Sequence, residues 1–114
     1  MKLVNLSNEQ ELANKIGRAD TFFKRLIGLM FSHKLPIGTG LHITPCRSVH
    51  TYFMNYAIDV LFVNDRLEVV GIVESMSPRN VSKVYRAANS VIELPAGTVQ
   101  QTGTEIGQTL KLQN

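Results

Sequence analysis

The sequence predicts a mainly β fold: a single domain over residues 1–114, built as an antiparallel β-sandwich or jelly-roll-like barrel with one short α-helix near residues 20–31. Three observations carry this reading. Beyond Leu41 the apolar residues recur with period two in short runs. Gly, Pro and Asn-Asp pairs separate those runs, and there is no linker or repeat. One stretch alone, Asp20–Phe31, carries a clear helical stripe. One short helix followed by many short strands suits a sandwich or barrel.

Taken in order, Lys2–Leu6 reads as a short strand. Leu12–Ala19 is ambiguous: Ser7 and Gln10 suit a capping box, while Leu12, Ile16 and the break at Gly17 fit a strand. In Asp20–Phe31, Asp20 can act as N-cap, and Phe22, Phe23, Leu26, Ile27 and Met30 form one apolar stripe. Lys24 points away from the stripe and Arg25 lies on its edge. Pro36–Gly40 is a loop. Strands are then expected at Leu41–Ile43, Ser48–Met54, Ile58–Val63, Leu67–Glu74, Ser90–Leu94 and Thr109–Leu112. Asn64-Asp65-Arg66 is a tight turn, so the strands beside it should form a hairpin.

Composition narrows the function class. A hydrophobic share of 44% is that of an ordinary globular chain. No apolar run approaches the ~20 residues of a membrane helix. The N-terminus lacks a signal-peptide pattern, so the chain as given reads as cytoplasmic, with export possible if a leader was removed. Cys46 is the sole cysteine, which rules out an internal disulfide and fits a reducing compartment. Net charge is +3, with +4 in residues 1–57 and −1 in residues 58–114. The basic residues form no run, so neither nucleic acid nor membrane is an expected partner.

The residues that stand out are polar groups inside apolar, β-prone runs, where burial costs free energy unless they are paired. On a strand, Ser48, His50, Tyr52 and Met54 share one face, with Val49, Thr51 and Phe53 on the core side. His50 is then either a satisfied structural histidine or a ligand-binding or acid/base group. Asp59 shares its face with Leu61 and Val63 and calls for a partner, for which Arg25 is suited through a bidentate pair. Glu93 sits opposite Ile92 and Leu94, as a solvent-side residue or as part of a cleft. His42 alternates with Leu41 and Ile43 and is expected to be exposed. Cys46 and His50 lie about 13 Å apart on a strand, too far for a thiol–imidazole pair. His33, His42 and His50 lack metal-ligand spacing, and Met30 and Met54 read as core filler rather than soft ligands. No metal or cofactor site is expected.

Several fragments together resemble one family. They are Phe22-x-x-Arg25-x-x-Gly28-Leu29-Met30, His50-Thr51-Tyr52-Phe53-Met54, Ile58-Asp59-Val60-Leu61-Phe62-Val63, Pro78, Val91-Ile92-Glu93-Leu94-Pro95-Ala96-Gly97 and Gly107. Their order and types are similar to the domain-of-unknown-function 192 family of small bacterial and archaeal proteins. The resemblance implies a compact mostly-β sandwich or jelly roll with one short helix, and a strand at Leu12–Ala19. It implies no activity or cofactor; it places Arg25, Gly28, Met30, His50, Met54, Asp59, Glu93 and Gly97 at motif positions.

The functional expectation is a binding module whose cleft, lined by His50, Arg25 and Asp59 with Tyr52 and Glu93 as further candidates, takes a small anionic ligand or a peptide end. Alternatives are a small hydrolase or isomerase with His50 as general base and Asp59 as its orienter, and an assembly partner using a strand edge. Enzymatic activity and oligomeric state are left open by the pattern.

Overall fold

The computed structural model describes residues 1–19, 35–52 and 54–114. Its strands are β1 (Lys2–Asn5), β2 (Glu11–Ala13), β3 (Lys15–Ala19), β4 (Thr39–Ile43), β5 (Ile58–Val63), β6 (Val69–Met76), β7 (Ser90–Pro95) and β8 (Leu110–Gln113), with one helix, α1 (Thr98–Thr102), between the last two. They form a three-stranded sheet ordered β2-β1-β8 and a five-stranded sheet ordered β3-β4-β7-β5-β6. The mainly β, two-sheet expectation holds, and among the described residues neither sheet closes into a barrel. The expected helix Asp20–Phe31, and with it Arg25, lies outside the described residues.

Each face of the five-stranded sheet is covered. One core, between the sheets, packs Leu3, Leu12, Ile16 and Leu110 against Leu61, Ile92 and Leu94. The other packs Ile43, Val60, Phe62 and Val91 against Val49, Met54 and Ala88. This double burial explains why β5 reads Ile-Asp-Val-Leu-Phe-Val instead of alternating: every residue in it is buried.

Five differences from expectation have physical reasons. First, the pairing is not wholly antiparallel, because β3 runs parallel to β4. Residues 20–38 lie between them, longer than the dozen or so a crossover needs. Second, the described residues of Ser48–Met54 form no continuous strand; an isolated antiparallel bridge joins His50 to Val81. The chain turns at Thr51, whose carbonyl accepts the Met54 N–H at 3.1 Å. The Thr51 hydroxyl is bound into the 77–80 turn at 2.7 Å from the Ser77 carbonyl. Third, β6 starts at Val69, since Leu67 has a left-handed φ of 58° inside the Asn64 turn. The hairpin itself forms as expected. Fourth, α1 is unforeseen; five residues are too few to show a helical period. Fifth, His42 is buried at 8% exposure, not exposed. It faces the same side as its β7 partner Ile92 and lies 3.0 Å from the Ser90 hydroxyl. Burial, then the nearby Arg18, lowers its pKa.

Candidate functional site

The two buried carboxyls of the central strands point to opposite sides. Asp59 lies opposite Leu94 and Glu93 opposite Val60 in the β5–β7 register, so alternation puts Asp59 on the inter-sheet face and Glu93 on the other. Asp59 is wholly buried. One carboxylate oxygen accepts the Ser75 N–H at 2.8 Å, and the other accepts Gly97 N–H at 3.1 Å and Val99 N–H at 2.8 Å. It thereby caps α1 from another strand, where Gly97 at the N-cap has no side chain to do so. Three backbone donors occupy Asp59, which fits a structural carboxylate better than a residue orienting His50.

Glu93 has the opposite environment. It is 1% exposed on the central strand β7, between Leu41 and Val60 on neighbouring strands. Its Oε2 has no hydrogen-bond partner among the described residues. Burial pushes its pKa up to about 8, so at neutral pH the carboxyl is mostly protonated. It is neither the solvent-side residue nor an open cleft wall of the sequence reading.

His50 and Tyr52 stand elsewhere, on a short two-stranded arm. The Thr51 N–H donates to the Asn80 carbonyl at 2.8 Å, Ser82 N–H to the Val49 carbonyl at 2.9 Å, and Tyr85 N–H to the Arg47 carbonyl at 2.8 Å. Segments 47–51 and 79–85 therefore lie side by side, with His50 directly opposite Val81. The alternation read from the sequence holds over this stretch. Val49 and Thr51 are buried, while His50 and Tyr52 face out. Tyr52 is 55% and Val81 61% exposed, and the His50 and Tyr52 rings are 5.4 Å apart, tilted by 33°. Met54 leaves this face for the core at 6% exposure.

Residues 44–57 and 77–89, which contain both halves of the arm, carry Arg47, Arg79, Lys83 and Arg86 and not one Asp or Glu. The two segments thus carry four cations and no carboxylate of their own, together with exposed His50, Tyr52 and Val81. Lys83 Nζ sits 4.9 Å from the centroid of the Tyr85 ring, and that ring stacks on Phe62 at 3.9 Å. The Arg47 Nε donates to the Ala88 carbonyl at 2.9 Å, fixing one edge of the arm. Sequence reasoning singled out His50 and Tyr52 but missed Val81 and the cations opposite them. The acid-free stretch after Pro78 was the available signal.

A separate concavity of about 260 Å³ lies between β2 and α1, lined by residues including Leu12, Asn14, Gly38, Gln101 and Thr102. None of His50, Tyr52, Asp59 and Glu93 lines it. Among the described residues, no group of three or more His, Cys, Asp or Glu is placed to hold a metal. No helix among them is long and apolar enough to cross a membrane.

Residues 4–112 match the DUF192 family, described as "Uncharacterized ACR". The UPF0127 protein of Pyrococcus furiosus is 32% identical over 116 residues, covering 96% of each chain. The UPF0127 protein of Pyrococcus horikoshii is 30% identical with the same coverage. A crystal structure of a protein of unknown function from Novosphingobium aromaticivorans superposes with a TM-score of 0.81 at 18% identity, covering 97% of this chain and 82% of that one. A Sinorhizobium meliloti protein, described as a candidate transcription regulator, superposes with a TM-score of 0.81 at 22% identity over 96% of this chain and 89% of its own. These structural likenesses carry the fold alone.

Proposed function

This chain belongs to the DUF192 family of UPF0127 proteins, and from that premise we propose that it is a non-enzymatic binding module for an acidic peptide segment. The carrying observation is the arm: segments 44–57 and 77–89 hold four cations and no carboxylate and also present exposed Tyr52, His50 and Val81. Complementary charge steers a peptide of glutamates and aspartates to such a surface and suppresses basic partners. The exposed ring and valine supply the apolar contact that charge alone does not. His50 and Tyr52 keep the binding role foreseen for them, and Asp59 serves the scaffold. Arg25 lies outside the described residues and has no part in the reading.

The test is fluorescence anisotropy with a labelled hexapeptide of alternating glutamate and valine. Binding is expected, and it should weaken as salt rises because exposed charges are screened over ~10 Å at 0.1 M. Replacing Arg79 and Lys83 together by Gln should weaken binding at least tenfold. Replacing Lys2 and Lys111, on the three-stranded sheet, by Gln should change it less than twofold. Equal losses in both double variants, or tighter binding to an oligo-dT than to the peptide, would refute the proposal.

A further inference from the structure

The backbone of the arm has a side that nothing among the described residues uses. In an antiparallel pair, successive residues direct their N–H and C=O groups alternately toward and away from the partner strand. Ser82 turns inward: its N–H reaches the Val49 carbonyl, and its carbonyl accepts the Ser48 hydroxyl at 3.3 Å. Val81 and Lys83, on either side of it, therefore turn outward. The Val81 N–H and C=O and the Lys83 N–H have no hydrogen-bond partner among the described residues. Val81 and Val84 are each 61% exposed beside them. An extended edge with unmet donors and acceptors is a template for another strand.

The charge pattern selects what can use it. A second copy of this chain pairing along the same edge brings Arg79, Lys83 and Arg86 against themselves, and like charges across paired strands are destabilising. An acidic chain meets the opposite balance. We infer that the outer edge of Val81–Val84 receives an extended acidic peptide as an added β-strand, its main chain bonding Val81 and Lys83 and its carboxylates facing the flanking cations. This rests on the acidic-peptide reading above and specifies how that partner is held. Four residues at ~3.3 Å each give an edge of about 13 Å, room for two or three main-chain bonds. Pairing through the main chain sets direction and register, while alternate side chains meet Val81 and Tyr52.

The decisive comparison uses the glutamate–valine hexapeptide and the same peptide methylated at alternate backbone nitrogens. Methylation removes main-chain donors and leaves charge intact. On binding the parent peptide, exchange of the Val81 and Lys83 amide protons, read by NMR, should slow at least tenfold. For one of the two possible methylation phases, the affinity should fall at least tenfold. If both methylated peptides bind as tightly as the parent and those two amides exchange as before, strand addition is overturned while acidic-peptide binding stands. If the parent peptide does not bind at all, both readings fall.

Discussion

Asp59 and Glu93 have the same kind of sequence address, a carboxyl between apolar neighbours on a central strand, and opposite fates. Asp59 accepts three backbone N–H bonds. Removing it leaves those buried donors unmet, at about 1–3 kcal/mol each. Asp59→Ala should therefore lower stability in urea denaturation by at least about 3 kcal/mol, with Asp59→Asn losing less because one acceptor oxygen survives. A loss below about 1 kcal/mol contradicts the capping role. Glu93 acts through protonation. The unfolded chain releases its proton near the ordinary value of 4.5, and the folded chain holds it up to about 8. Between those values the folded state carries the extra proton, so stability falls as pH rises through this window and levels off above it. Glu93→Gln should remove that decline and be the more stable protein at pH 8, measured by denaturation at pH 4, 6 and 8. Parallel pH profiles for the two proteins contradict the assignment. That both residues needed explaining was legible in the sequence. The partners of Asp59 were not, because Ser75, Gly97 and Val99 each reach it through the main-chain N–H, which any residue but proline offers.

At the scale of elements, strands with a covered face and turn residues at their ends were legible. Ile58–Val63 appears with the boundaries read from its apolar run, and the Asn64 turn closes the expected hairpin. The 47–51 half of the arm showed its alternation but not its partner. Segment 79–85 has no period of its own, and its pairing comes from backbone bonds and the Thr51 and Ser82 hydroxyls. The close fit of arm to sheet depends on a glycine. A Cβ on Gly71 of β6 would sit 2.3 Å from the Tyr85 ring, the ring that stacks on Phe62. Gly71→Ala should displace Tyr85 and cost on the order of 1–3 kcal/mol, as overpacking does. Chemical denaturation together with the Tyr85 ring resonances checks this. Unchanged stability and unshifted resonances mean that Tyr85 does not bind the arm to the sheet. Gly97 is a different case, with φ of 96° and open space around it. Gly97→Ala should cost about 1–2 kcal/mol through backbone strain alone, leaving the Asp59 bonds in place.

The whole molecule separates stability from recognition. Asp59, Glu93, Gly71 and both cores lie in and around the five-stranded sheet, whereas the surface proposed for the peptide is the arm on one side of it. A net charge of +3 describes the surface poorly. Segments 44–57 and 77–89 carry four cations and no acid, so the remainder is slightly acidic. This concentration was hidden in the sequence because its two halves are some thirty residues apart and neither forms a basic run. It becomes visible once His50 is seen opposite Val81. The same separation predicts that side-chain charge changes at Arg79 and Arg86 alter binding and leave folding nearly untouched. Exposed substitutions away from caps and cores usually stay within about 0.5 kcal/mol.

The most direct measurement is an NMR titration of the intact chain with the glutamate–valine hexapeptide, following every backbone amide. The account predicts shifts confined to residues 47–52 and 79–86 and lost when Arg79 and Lys83 are replaced by Gln. Shifts centred instead on Asn14, Gly38 and Gln101 around the 260 Å³ concavity, or no shifts at millimolar peptide, would contradict it.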